Sequence, residues 1–203
     1  MKNPSRLTDA IVSRRTLIAS TALIQVAAIR GAPQPAPRKQ PATVFSPQQR
    51  RILEAFIDRL VPTDNLGSGA VECGAAEYID RCLEDYLAAE KVVFLEGLGA
   101  VDVFARSSQG APFSDLPPDK RDAVLAAIEN HQAPHLESFF NRLRRLTLEG
   151  MFSDPYWGGN KNFSGWDLIR YPGVRLSVPP DDQRMDTAPA VVRKSFYGAD
   201  HGR

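Results

Sequence analysis

His131 and His135 stand four residues apart, a spacing that on an unbroken helix would aim two imidazoles at one metal ion. Pro134 lies between them; it removes an amide donor and breaks the helix, so the two rings need not share a face. Cys73 and Cys82 are the two thiols of the chain. Cys82 falls on the apolar stripe of a helical pattern that Cys73 precedes, roughly 12 Å apart by helical rise, too far for a disulfide unless the chain folds back. A small buried hydrophobe is expected at Cys82, with a free or intersubunit thiol at Cys73 as the second option. Carboxylates are scattered over Glu54, Asp58, Asp64, Glu77, Asp80, Glu84 and Asp85, and the helical spacing of Asp80 and Glu84 suits a solvated face better than an acid–base pair. GxGxxG, GxxxxGK[ST] and a Cys-x-x-Cys-His haem attachment are all missing from the sequence. No catalytic group, cofactor site or metal site is therefore expected in this chain.

One segment departs from ordinary composition. Residues 151–173 hold Phe152, Tyr156, Trp157, Phe163, Trp166 and Tyr171, among them both tryptophans, together with Gly158, Gly159, Gly165, Gly173, Pro155 and Pro172. Rigid aromatic side chains on a turn-forming loop give a large contact area at low conformational cost, as partner-binding anchors require. The same composition fits a loop that folds back to cap its own core. Asp154 is expected to form a turn, its carboxylate on nearby backbone amides.

The elements that must position this loop read as helices. Ser46 before Pro47 is an N-cap followed by proline at the first helical position, and Ile52, Leu53, Phe56, Ile57 and Leu60 then recur on one face until Pro62. A second helix is predicted over 75–87 through Ile79, Cys82, Leu83, Tyr86 and Leu87. A third is predicted over 90–107 through Phe94, Leu98, Val101 and Ala105, weakened by Gly97 and Gly99 unless a neighbour packs closely there. Pro117-Pro118 open a fourth with Val124, Leu125 and Ile128, and Pro134 a fifth with Leu136, Phe139, Phe140, Leu143 and Leu146. On that fifth helix Asn141, Arg142, Arg144 and Arg145 should mostly face water. No alternating run is long enough for a sheet. The expectation is an all-α, irregular bundle of about five helices with a Gly- and aromatic-rich C-terminal loop region.

Ahead of the bundle lies a different kind of segment. Lys2, Arg6, Arg14 and Arg15 against Asp9 leave residues 1–28 at +3, and Thr16–Ile29 is charge-free and rich in Ala, Ile and Leu, the charged-then-apolar order of an export signal. Fourteen residues span about 21 Å as a helix, short of the roughly 30 Å hydrocarbon core. The Arg14-Arg15 pair beside Ser13 and Thr16 resembles a twin-arginine signal, which addresses folded cargo for export, the alternative being an ordinary secretory signal. Residues 1–30 are thus read as the signal, 31–44 as a linker rich in Pro33, Pro35, Pro37 and Pro41, and 45–203 as the folded body. The 203 residues, 43% hydrophobic and 24% charged, are sufficient for a buried core. A net charge of +1 offers nothing to condense on nucleic acid.

Two blocks carry a resemblance. Phe152-x-Asp154-Pro155-x-Trp157-Gly158-Gly159-Asn160 followed by Gly165-Trp166-x-x-Ile169-x-Tyr171-Pro172-Gly173 is similar to the signature of the gluconate 2-dehydrogenase subunit 3 family. Leu60-Val61-Pro62-Thr63-Asp64, Gly67-Ser68-Gly69-Ala70 and Tyr78-Ile79-Asp80 resemble that family's other recurrent block. Trp157 replaces an expected Tyr, Arg170 a Gly, Ser68 a Pro and Cys73 an Ala; Arg170 in particular stands against a tight turn before Tyr171. The resemblance implies a non-catalytic small subunit that stabilises and escorts an FAD-containing catalytic dehydrogenase subunit of the glucose-methanol-choline type, often with a multihaem cytochrome c subunit. The small subunit of such a complex carries the export signal for both, delivering them through the twin-arginine translocase to the periplasmic face of the inner membrane. Membrane association then comes through the complex, FAD lies in the partner, and haem c in the third subunit. Trp157, Gly158, Gly159, Asn160, Trp166 and Tyr171 become the candidate interface residues. The substrate, whether gluconate, glucose, fructose, sorbitol or a related polyol, is left to the partner. The rival readings are a stand-alone periplasmic metal enzyme using His131 and His135, and a periplasmic binding or scaffold module unrelated to redox chemistry.

Overall fold

The computed structural model describes residues 43–197, apart from 176, 185 and 187. Arg14, Arg15, the rest of the expected export signal and the expected linker as far as residue 42 lie outside these. Five longer helices form the bundle: α1 (Pro47–Leu60), α2 (Ala75–Glu84), α3 (Lys91–Gln109), α4 (Pro118–Glu129) and α5 (Glu137–Phe152). A sixth, α6 (Ser164–Leu168), is a single turn inside the aromatic loop. Among the described residues the extended pairing is one isolated bridge, Asp64 with Gly67. The all-α expectation holds.

Helix starts follow the local signals. Ser46 Oγ accepts from the Gln49 amide at 3.2 Å while Gln49 Oε1 accepts from the Ser46 amide at 2.9 Å, so two of the orphan donors at the start of α1 are satisfied reciprocally. Pro47 occupies the first turn. From this start Ile52, Leu53, Phe56 and Ile57 enter the core. There the Phe56 ring meets Phe113, Phe139 and Phe140 at centroid distances of 6.0, 6.4 and 5.7 Å. Aromatic pairs at such separations add to simple area burial.

Three helices differ at their ends from the sequence expectation, α3 running Lys91–Gln109 rather than 90–107. The second helix ends at Glu84 rather than residue 87, because Asp85 leaves the helical region at φ −114° and ψ −105°; Leu87 nevertheless reaches the core through the following turn, its amide on Cys82 O at 2.8 Å. The fifth begins as one 3₁₀ turn, Pro134–Leu136, before α5 proper. The two glycines of α3 part company. A Cβ at Gly97 would stand 2.2 Å from the Phe139 ring, so α5 packs closely there, whereas Gly99 faces open space.

The most extensive helix pairing joins α2 to α5. Close approach is possible because Gly150 lies against Ala75, where an added Cβ would sit 2.9 Å from the Ala75 Cα. That crossing holds the end of α5 where the aromatic loop emerges.

Candidate partner-docking site

The loop after α5 is fixed to the bundle by its glycines and one asparagine. A Cβ at Gly159 would lie 2.0 Å from Gly150 O, and one at Gly165 would lie 1.8 Å from Met151 O; only glycine lets this backbone lie flat on the end of α5. Asn160, wholly buried and left-handed at φ 46°, uses its whole side chain internally. Its Oδ1 accepts from the Gly165 and Trp166 amides at 2.9 and 3.3 Å, and its Nδ2 donates to Ser153 O at 2.9 Å. Two of the free N–H groups at the start of α6 are thereby satisfied. Trp166 is 5% exposed and donates Nε1–H to Phe152 O at 2.9 Å.

These contacts divide the six candidate interface residues. Gly159, Asn160 and Trp166 face inward and hold the loop. Trp157, 46% exposed, and Tyr171, 40% exposed, present their rings to solvent, and Gly158, left-handed at φ 101°, turns the chain beside Arg81. The composition alone left open whether the loop caps the core or faces a partner; one side caps the core and the other stays exposed. Ile169 joins the outward face, which opens a groove of about 490 Å³ lined by Trp157, Ile169, Tyr171, Phe196 and Tyr197 among others.

Arg170 stood against a tight turn before Tyr171, and the turn forms regardless. Arg170 adopts φ 55°, its amide donates to Asp167 O at 3.0 Å, and the Tyr171 amide donates to Trp166 O at 2.7 Å. This pair of bonds is the left-handed C-terminal cap that glycine usually makes. The accompanying apolar contact is Tyr171 on Trp166, with ring centroids 4.9 Å apart. The cap forms because its two hydrogen bonds and this ring contact outweigh the left-handed strain of an L-residue, about 1–2 kcal/mol.

The two sequence blocks, some eighty residues apart, meet in space. In the first, Thr63 Oγ1 accepts from the Gly69 amide at 2.9 Å and Val61 O from the Ala70 amide at 2.8 Å. This compact loop then receives the second block: the Lys161 amide donates to Cys73 O at 2.9 Å, Ser164 Oγ–H to Cys73 Sγ at 3.3 Å, and a Cβ at Gly67 would touch the Leu168 side chain. Lys161 Nζ also reaches Glu77 at 3.2 Å, and Glu77 pairs with Arg50 at 2.8 Å. Burial alone would raise the Glu77 carboxyl, but Arg50 and Lys161 outweigh it and hold it below its ordinary range.

The two cysteines and His131 have structural settings. Both cysteines are free and buried, and burial pushes both thiols up, away from the thiolate that nucleophilic chemistry needs. Cys73 is therefore free but inaccessible, which removes the intersubunit option. Burial, with Tyr86 adjacent, likewise raises the Tyr78 phenol. His131 is the left-handed cap of α4, at φ 61° with the Gln132 amide on Ala127 O at 2.9 Å, and its Nδ1 lies 2.8 Å from Glu137. Among the described residues no three His, Cys, Asp or Glu side chains gather as metal ligands. None of the described helices is long and apolar enough to cross a membrane.

Asp154 caps the 3₁₀ turn Pro155–Trp157, its Oδ1 accepting from the Tyr156 amide at 2.9 Å. Sequence reasoning missed Ser195, Phe196 and Tyr197, which return to this turn. Their signal, an aromatic pair in a polar, proline-containing tail, is faint.

With the loop and its supporting block described, the comparison with protein families decides the assignment. The family model for gluconate 2-dehydrogenase subunit 3 matches residues 47–173, more than half of the chain and both blocks. The chain belongs to the gluconate 2-dehydrogenase subunit 3 family. No curated protein and no solved structure gives a significant match. The shared span runs from α1 to the glycine that closes the aromatic loop. As its name states, the family is one subunit of a dehydrogenase, and an accessory place in such a complex follows.

Proposed function

We propose that this chain is the non-catalytic small subunit of an FAD-dependent sugar or polyol dehydrogenase. It binds the flavoprotein subunit, of the glucose-methanol-choline type, through the exposed side of its aromatic loop and stabilises it. The Arg14-Arg15 leader then carries the pair through the twin-arginine route to the periplasmic face of the inner membrane. A multihaem cytochrome c subunit completes the complex and takes the electrons. The observation that carries this reading is a loop held rigidly from behind by Gly159, Asn160 and Trp166 while Trp157, Ile169 and Tyr171 stay exposed in front. Pre-organised aromatic anchors lose little entropy on docking, the usual character of interface hot spots.

Export as folded cargo is physically consistent with a non-covalent flavin, which is loaded while its protein folds. A subunit that docks on the loaded flavoprotein can lend it an address without any chemistry of its own. The test is expression of the catalytic subunit with and without this chain. Flavin loading and export should both require it; equal loading and export in its absence would overturn the escort role. Replacing Arg14-Arg15 by Lys-Lys should abolish export while leaving the complex assembled.

A further inference from the structure

The family-shared region ends at Gly173, yet the chain continues and returns to lie on the shared motif. Val192 donates its amide to Pro172 O at 2.7 Å, the Arg175 guanidinium donates to Ala190 O, and Arg193 pairs with Asp167 at 2.6 Å. Ser195, Phe196 and Tyr197 are seated on Asp154 and its neighbours. Ser195 Oγ–H donates to Asp154 Oδ1 at 2.6 Å and the Phe196 amide to Oδ2 at 2.7 Å. The Tyr197 ring lies 4.6 Å from that of Tyr156 at 33° and meets Trp157 edge-on at 5.6 Å. Ser195 is buried, while Phe196 and Tyr197 stay more than half exposed.

Residues 190–197 thus grip the body through backbone bonds at Ala190 and Val192, an exposed ion pair at Arg193, the Ser195 hydroxyl, the Phe196 amide and the Tyr197 ring, with Ser195 the one buried side chain among them. Hydrogen bonds to a carboxylate are strong individually, but a segment with so little buried apolar surface belongs to the low end of local stability. It also sits on residues of the family motif, Asp154 and Trp157, from outside the family-shared span. We propose that residues 190–197 are a releasable strap that fills, in cis, a recognition site for an extended segment of the partner subunit. The strap displays the chemistry of that segment: a hydroxyl-bearing residue on Asp154, the next backbone N–H on the same carboxylate, and an aromatic ring against Tyr156 and Trp157. The proposal rests on the docking role of this loop. An internal occupant lowers the apparent affinity of an external one in proportion to the fraction of molecules that are open.

The test uses the full chain and a labelled peptide, Ala-Val-Val-Arg-Lys-Ser-Phe-Tyr, copied from residues 190–197. In a Ser195→Ala/Tyr197→Ala variant the Phe196 amide should exchange faster and trypsin should cut sooner after Arg193 and Lys194. The peptide should then bind that variant at least about tenfold more tightly than the wild-type chain, as expected if the strap is closed in about nine molecules of ten. Adding Asp154→Ala should remove the binding, with far-ultraviolet circular dichroism verifying that the helices persist. Unchanged exchange at Phe196 would overturn the strap. Equal peptide affinity for wild type and variant, or no binding to a demonstrably open variant, would overturn the site. Because no catalytic subunit is present, a failure here is distinguishable from a failure of the docking assignment.

Discussion

Asn160→Ala separates a residue that builds the proposed docking surface from one that belongs to it. The alanine removes acceptors for two buried amides, Gly165 and Trp166, and the donor to Ser153 O. Each buried polar group left without a partner costs about 1–3 kcal/mol, the long 3.3 Å bond contributing least. The left-handed backbone adds a further fraction, since asparagine tolerates φ 46° better than alanine. The sum is about 3–5 kcal/mol, a large share of a stability of roughly 5–15 kcal/mol. Urea denaturation of the folded body, followed by far-ultraviolet circular dichroism, measures it, and tryptophan fluorescence reports whether Trp166 loses its buried setting. Asn160→Gly divides the effect, restoring backbone freedom but no hydrogen bond, and should recover less than about 1 kcal/mol. A loss below about 1 kcal/mol for Asn160→Ala, with unchanged Trp166 emission, would refute the role derived for the amide.

The outward residues should behave oppositely. Trp157→Ala should cost under about 1 kcal/mol of stability yet weaken binding of the catalytic subunit by about 30-fold or more, as a hot-spot residue does; calorimetric unfolding and a binding titration check the two halves. The α3 glycines make a matched pair: Gly97→Ala should destabilise by about 1–3 kcal/mol through its clash with Phe139, while Gly99→Ala, facing open space, should stabilise by about 1 kcal/mol. Arg170→Gly should raise stability by about 0.5–1 kcal/mol by relieving the left-handed residue, read as a higher denaturation midpoint. Both thiols should resist a water-soluble disulfide reagent at neutral pH until denaturant is added, since burial keeps them protonated and covered; rapid labelling of the native chain would contradict that.

The helices were legible because their signals are local. Ser46-Pro47, the apolar stripes and Pro134 each act within one turn of chain, and Gly97 declared a close neighbour without naming Phe139. The aromatic loop was legible as a unit but not in its orientation. Composition cannot say which of Trp157 and Trp166 faces water, because that depends on Asn160 gripping the start of α6 and on Gly159 and Gly165 lying against α5. The meeting of the two blocks at Cys73 and Lys161 is a tertiary fact with no sequence period behind it. Arg170 misled in the opposite sense, since a residue poorly suited to the left-handed cap is held there by its neighbours. The tail escaped notice because Ser195, Phe196 and Tyr197 gain meaning only once Asp154 is seen to hold them.

The most direct measurement compares the tagged wild-type chain with a Trp157→Ala/Ile169→Ala variant, which leaves the Tyr171 contact on Trp166 in place, each co-expressed with the proposed FAD-containing dehydrogenase subunit, purified under native conditions and assayed for bound flavin. Equimolar flavin with the wild type, and its loss from a variant whose helices and melting behaviour are intact, is the predicted result. Flavin retained equally by both, or sugar oxidation by the purified small chain alone, would contradict the account.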